Sequence, residues 1–274
     1  MRALALSFLV LTVAVSAQTP ATSTPPAAPA PAPAAQGGRS GAPLPDLTCS
    51  DLATQLRTMN TNDPRVRDWP AMNRYREANH TVKAPTVIFM GDSITDNWQQ
   101  PRFGGFFPGK PYADRGIGGQ TTPQMLLRFR NDVINLKPKV VVILAGTNDI
   151  AGNTGPMSDE DIEGNLATMS ELAHAHQIKV VFSSITPVAG YHLANPNAIP
   201  QTSQRPVERI HAINDWMKKY AADHGDVYLD YFSAMTDDKG LLRAELSMDD
   251  LHPTAAGYAI MAPLAEAAIG KVLK

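Results

Sequence analysis

The sequence predicts an α/β protein, a three-layer α/β/α sandwich built on a parallel sheet. Two observations predict it. Short apolar runs, Val87-Ile88-Phe89-Met90 and Val140 to Ala145, each stop at a glycine followed by polar residues. That is the pattern of buried parallel strands ending in tight turns. Segments with helical periodicity alternate with such runs along the chain, which fits strands joined by helical crossovers. Strands that finish this way present their polar tips at one sheet edge, where open α/β sheets keep their ligand crevice. With no internal repeat and no second core in the pattern, one domain is expected over residues 46–274.

Composition bounds the class. The chain has 274 residues, 43% hydrophobic and 18% charged, with a formal net charge of -2. This suits a soluble globular protein and offers no basic excess for nucleic acid. The single cysteine, Cys49, excludes an intramolecular disulfide and a cysteine-based metal cluster. It reads as a small apolar residue or an inert thiol.

Residues 1–17 have the form of a secretory signal. Arg2 is the positive end, Ala3 to Val15 is apolar, and Val15-Ser16-Ala17 suits cleavage. The apolar run is short for a bilayer span, so no stable membrane insertion is expected after cleavage and the product is expected to be secreted or periplasmic. Residues 18–45 interleave eight prolines, from Pro20 to Pro45, with alanine and small polar residues. Such a segment cannot bury enough apolar surface to fold and is expected to be an extended linker.

Two short helices are expected next, near Cys49–Met59 and Trp69–Ala78. Asp68 caps the second and Pro70 lies in its first turn. Trp69, Met72 and Tyr75 share a face by spacing, read here as packing. The Val87 strand follows and ends at Gly91-Asp92-Ser93. Beyond it lies a stretch rich in glycine and aromatics, Trp98 to Tyr112, read as cover for the core with pocket lining as the alternative. Arg115 to Thr122 is read as a glycine-rich turn, where a backbone can approach a ligand closely. Its spacing is not that of a dinucleotide fingerprint. Thr122 and Pro123 open a helix carrying Met125, Leu126, Leu127 and Phe129.

The clearest strand, Lys139 to Ala145, ends at Gly146-Thr147-Asn148-Asp149. Ser158 opens a helix with three acids in its first turn. Val180 to Phe182 is the next strand, followed by a long polar loop over residues 188–204 that contains His192. Pro206 to Ala222 is a helix with Val207, Ile210, Ile213 and Met217 inward. Val227 to Asp230 is the last strand, and Ala255 to Val272 a terminal helix.

The strand tips hold residue types that acyl transfer requires: a nucleophile, a base, a group that orients the base, and oxyanion donors. Ser93 is the candidate nucleophile and His252 the candidate base. Asp249 lies three residues before His252, close enough to fix its tautomer, and Asp250 competes at two residues. Candidate oxyanion donors are the backbone N–H groups of Ser93 and Gly119 and the side-chain amide of Asn148. Asp92, Thr95, Thr147 and Asp149 read as residues that brace turns. No dense ligand set of the His-Glu-x-x-His kind occurs, so no metal and no cofactor is expected.

Taken together, Gly91-Asp92-Ser93-Ile94, Gly118-Gly119-Gln120, Gly146-Thr147-Asn148-Asp149 and Asp249-x-x-His252-Pro253 resemble the four blocks of the SGNH hydrolases, or GDSL esterases, in the family's order. Ser93, Gly119, Asn148 and His252 match the residues of the family name, and Asp249 matches its orienting aspartate. The stretch Arg115 to Thr122 is most similar to the branch of the platelet-activating-factor acetylhydrolase catalytic subunits and bacterial acetyl esterases. Ile94 stands where the motif name has leucine. The resemblance implies a flavodoxin-like sheet of five parallel strands. Thr95, where classical α/β-hydrolases place a second glycine after the serine, separates the chain from that fold.

The expected activity is a serine esterase acting on acetyl or other short acyl esters, with small-molecule or polysaccharide substrates. An acetylated carbohydrate fits the leader and the polar 188–204 loop; a lipid or aryl ester of short acyl chain is the alternative. No long apolar lid segment points to a long-chain lipase. A non-catalytic glycan- or partner-binding module and an acyltransferase using the same serine are the other readings, and the sequence leaves the oligomeric state open.

Overall fold

The computed structural model describes Ser50, Thr54, residues 67–195 and residues 197–274. The expected leader, the proline-rich linker, Cys49 and all of the Cys49–Met59 helix except Ser50 and Thr54 lie outside these residues.

Five strands form one parallel sheet: β1 (Val87–Gly91), β2 (Tyr112–Gly116), β3 (Val140–Leu144), β4 (Lys179–Ser183) and β5 (Val227–Leu229), in the order β2-β1-β3-β4-β5. This is the flavodoxin-like order, whose topological switch lies between β1 and β3. The helices are α1 (Arg76–Thr81), α2 (Ser93–Trp98), α3 (Thr122–Asp132), α4 (Thr147–Ile150), α5 (Asp159–Ala175), α6 (Gln201–Gln204), α7 (Val207–His224), α8 (Phe232–Met235) and α9 (Ala255–Val272). None of the helices among the described residues is long and apolar enough to cross a membrane.

The period-2 alternation of each strand divides the core between the two sheet faces. Ile88, Met90, Val141, Ile143, Val180 and Phe182 face one side, packed with Met125 and Phe129 of α3, Leu166 of α5 and Ile213 of α7. Val87, Phe89, Val140, Val142 and Val181 face the other, under Ile94 and Trp98 of α2 and Tyr258, Met261 and Ala265 of α9. Buried on both faces, β1 and β3 read as unbroken apolar runs. Ser158 caps α5 through its hydroxyl, which accepts from the Asp161 N–H, as the capping pattern predicts.

Two expectations are corrected. The turn expected from Arg115 is instead preceded by an edge strand, β2, in register with β1 from Tyr112 opposite Val87 to Gly116 opposite Gly91. Its polar Asp114 and Arg115 hide the strand from a hydrophobicity reading, yet both are buried. The helix expected over Trp69–Ala78 starts only at Arg76. Ala71 adopts a left-handed conformation (φ 54°) and breaks it, although the Asp68 carboxylate does accept from Met72 and Asn73 N–H at 2.7 and 2.9 Å. The break separates the face: Tyr75 is buried and Trp69 is exposed. Most of the aromatic stretch covers the core, with Phe106, Phe107 and Tyr112 in contact with the Phe89 ring.

The sheet end is fastened by one buried cation. Arg128 of α3 is fully buried and donates to Gly91 O of β1 (3.0 Å), Arg115 O of β2 (2.8 Å), Gln120 Oε1 (2.5 Å) and Asp132 Oδ2 (3.0 Å). Burial lowers the Arg128 pKa, and Asp132 opposes that shift. Two glycines let α2 sit close against this end. A Cβ on Gly91 would lie 2.1 Å from Thr95 Oγ1, and one on Gly116 would lie 2.2 Å from Asp96 N.

Replacing Arg128 with leucine leaves the buried Asp132 carboxylate without its cation and removes the donors to Gly91 O, Arg115 O and Gln120 Oε1. The expected cost is about 3–5 kcal/mol, read as a lowered urea midpoint. A second prediction concerns Asp114, whose Oδ1 accepts from Gly116 N–H at 2.7 Å. Burial pushes its carboxyl up to about 7. A carboxyl raised in the folded state favours folding fully below the ordinary carboxylate pKa and loses that contribution as pH rises through about 7. Asp114→Asn lacks this loss. Its stability relative to wild type is expected to climb between pH 4 and pH 8 in urea titrations.

Candidate active site

Ser93 begins α2 directly after β1, so its backbone N–H has no partner within the helix. Asp92 caps that helix, its Oδ1 accepting from Ile94 N–H at 2.9 Å. Asp92 is completely buried, and burial pushes its carboxyl up to about 6 despite the Ile94 bond. The turn therefore points the Ser93 hydroxyl out of the sheet end while Asp92 turns inward.

Opposite stands the segment between β5 and α9. His252 Nε2 lies 2.8 Å from Ser93 Oγ, and His252 Nδ1 lies 2.6 Å from Asp249 Oδ2. Asp249 Oδ1 also accepts from the backbone N–H of His252 (2.8 Å) and of Leu251 (3.2 Å). Partial burial works to raise the Asp249 carboxyl, but the side-chain and backbone hydrogen bonds from His252 override it. The carboxyl is held well below the usual carboxylate range. An ionised Asp249 fixes Nδ1 as the protonated nitrogen and leaves Nε2 to accept from the Ser93 hydroxyl.

The three candidate oxyanion donors border the same edge. Gly119 has a left-handed backbone (φ 77°) that glycine adopts without strain, and its carbonyl accepts from Asn153 Nδ2 at 3.0 Å. Gly118 N–H donates to Asp96 Oδ2 (3.2 Å), and a Cβ on Gly118 would stand 3.8 Å from Ser93 Cβ, which places this loop against the serine. Asn148 lies in the first turn of α4 and donates through Nδ2 to Gln120 O at 3.0 Å. Gly146 (φ 114°) makes the turn into α4, packed under Ile185. Asp149 is buried and accepts from the N–H and the hydroxyl of Thr122 at 2.9 and 2.6 Å, which ties α4 to the start of α3.

Asp250, the competitor for His252, faces away from it. It is buried, has a left-handed backbone (φ 65°) and binds His192: Oδ1 is 2.8 Å from Nδ1, and Oδ2 accepts from the backbone N–H at 2.6 Å. Ala189 N–H donates to Asp250 O at 3.0 Å. The polar 188–204 loop is thus fastened to the segment that carries His252, a role for His192 that the sequence reading missed. Arg205 was missed too. It is buried, and its Nε donates to Thr147 O (3.1 Å) and Thr147 Oγ1 (3.0 Å) in the turn that presents Asn148. Burial lowers its pKa, opposed by the charges of Asp92 and Asp249. A lone arginine before a proline carries no local signal of such a contact. Among the described residues no three His, Cys, Asp or Glu side chains are grouped to hold a metal ion.

Comparisons with known proteins match this architecture. Residues 89–260 match the model of the GDSL-like lipase/acylhydrolase family. The human platelet-activating factor acetylhydrolase IB subunit alpha2 is 30% identical over 190 residues, covering 67% of this chain and 76% of its own. Among solved structures, a candidate acylhydrolase from Bacteroides fragilis NCTC 9343 is 39% identical with a TM-score of 0.67, over 75% of this chain and 99% of that one. A GDSL-like lipase from Bacteroides thetaiotaomicron VPI-5482 is 37% identical with a TM-score of 0.66, over 74% of this chain and 98% of that one. Fold and relatives define the protein as a carboxylic ester hydrolase. The chain belongs to the GDSL-like lipase/acylhydrolase family.

The His192 contact yields a prediction. His192→Ala leaves Asp250 Oδ1 buried without its imidazole partner, which costs about 1–3 kcal/mol of stability. Because Asp250 adjoins Asp249, kcat on an aryl acetate is expected to fall while KM stays near the wild-type value. Thermal melts and steady-state kinetics on the same sample check both.

Proposed function

We propose that the protein is a serine esterase that removes acetyl or other short acyl groups. The observation that carries this reading is the hydrogen-bonded series Asp249, His252, Ser93 at the switch point of the sheet. Ser93 Oγ attacks the ester carbonyl while His252 Nε2 takes its proton. Asp249 holds the imidazole in orientation and stabilises the imidazolium. The backbone N–H groups of Ser93 and Gly119 and the amide of Asn148 bind the oxyanion. The carbon–oxygen bond to the alcohol breaks, His252 protonates the leaving alkoxide, and an acyl-Ser93 remains. Water, deprotonated by His252, attacks the acyl carbon and releases the acid, and the proton returns to Ser93.

A short acyl group is favoured by the printed name of the 30% identical relative, an acetylhydrolase. The leader-like residues 1–17 support export, and an exported acetyl esterase with a polar loop fastened beside the site suits acetylated carbohydrate. The test is hydrolysis of p-nitrophenyl acetate, butyrate and octanoate by wild type and Ser93→Ala. Acetate is expected to be turned over fastest, and the substitution to lower kcat by at least about 10³-fold. Serine-independent turnover overturns the assignment of Ser93, and a preference for octanoate overturns the short-acyl reading.

A further inference from the structure

A cavity of about 650 Å³ opens beside the Gly118-Gly119 loop, walled on its far side by residues that precede the family-matched region. Trp69 stands on that wall, 41% exposed, with Asp68 next to it; Asn153 and Thr154 lie across the cavity. The wall is fastened. Gln124 Nε2 donates to Trp69 O at 2.7 Å, and Gln120 Nε2 donates to Pro70 O at 2.8 Å. The left-handed Ala71 turns Trp69 outward where Tyr75, on the same side by spacing, turns into the core. Trp69 is thus held by its backbone and keeps 41% of its surface exposed while lining the cavity.

We propose that this cavity is the subsite for the alcohol part of the ester and that it takes a sugar ring against Trp69; the inference rests on the proposed esterase mechanism. Gly119 lines the cavity and is a candidate oxyanion donor, and Gly118, also in the lining, stands against Ser93, so the cavity adjoins the proposed position of the carbonyl. When the acyl group is short, the alcohol is the only substituent large enough to fill it. The surfaces match a pyranose. The indole face meets the ring's C–H face, and the Asn153 and Thr154 side chains meet its hydroxyl rim. Asn153 also holds Gly119 O, and Gln120 joins Pro70 of the Trp69 wall to the Asn148 amide, so the subsite and the oxyanion loop share their supports.

The experiment measures kcat and KM of wild type, Trp69→Ala and Trp69→Phe on ethyl acetate and on acetylated xylobiose. Phe103→Ala is the comparison, since Phe103 lines a separate cavity of about 260 Å³ beside His252. Trp69→Ala is expected to raise KM for the acetylated disaccharide on the order of tenfold, with kcat kept and ethyl acetate hydrolysis unchanged. Trp69→Phe is expected to restore most of the loss. An equal loss on both esters means that Trp69 only supports the fold, and it overturns the proposal. So does an unchanged KM, or a loss confined to Phe103→Ala. Wild type that hydrolyses ethyl acetate but not the sugar ester refutes the sugar subsite and leaves the esterase standing. Wild type that hydrolyses neither removes the esterase reading and the subsite with it.

Discussion

The site depends on a guanidinium that never touches it. Arg128 joins the last carbonyl of β1 and the next-to-last of β2 to the side chain of Gln120, and thereby fixes how far the two strand ends and the following loop lie from one another. Ser93 leaves β1 two residues after Gly91, and Gly119 leaves β2 three residues after Gly116. A shift of either strand end would separate the hydroxyl from the loop beside it. The same network runs outward. Asp132, which anchors Arg128, accepts from Asn79 of α1 at 2.7 Å, and Asn79 Oδ1 accepts from Arg115 at 2.8 Å. Tyr75 donates to Gly116 O and stacks under the Arg115 guanidinium. The segment before β1 is therefore part of the scaffold of the site.

The cost of this arrangement falls on buried charge. Asp92, Asp114, Asp132 and Asp149 are all buried at the same end of the sheet as Arg115, Arg128 and Arg205. Burial pushes the Asp92, Asp114 and Asp149 carboxyls up and the three guanidinium groups down, and the anions around each cation oppose its shift. An apolar end would be easier to bury. It would not fix the direction of a hydroxyl, two N–H groups and an amide, which requires directional bonds to backbone carbonyls at several strand ends at once. Local stability is exchanged for orientation where chemistry needs orientation.

What was legible in the sequence follows from range. β1 and β3 are buried on both faces and signal themselves as apolar runs. α5 and α9 carry their own caps or periodicity. Ser93, Asn148 and the Asp249–His252 pair lie in short motifs where the neighbours in sequence set the geometry. β2 was illegible because pairing with β1, not hydrophobicity, makes it a strand, and Asp114 and Arg115 argue against burial until Arg128 and Asn79 are seen. The α1 boundary was misread because Asp68 caps the chain as the pattern says, yet Ala71 then turns left-handed. Arg128, Arg205 and His192 act on groups up to 58 residues away, and no local pattern encodes such partners.

The two adjacent aspartates show where sequence reasoning stops and geometry decides. Asp249 and Asp250 are chemically the same and both lie within reach of His252 in sequence. A carboxylate three residues before the histidine can accept from its backbone N–H with one oxygen and from its ring with the other, and Asp249 does both. Asp250 cannot follow, because its left-handed backbone sends its side chain to the opposite side of the chain, where His192 closes on it with the same pair of donors, backbone and ring. The segment is thus held from both sides by two aspartate–histidine pairs. One pair faces the serine. The other faces the long loop, so the loop's position and the imidazole's position are set by neighbouring residues of one short, doubly fastened turn.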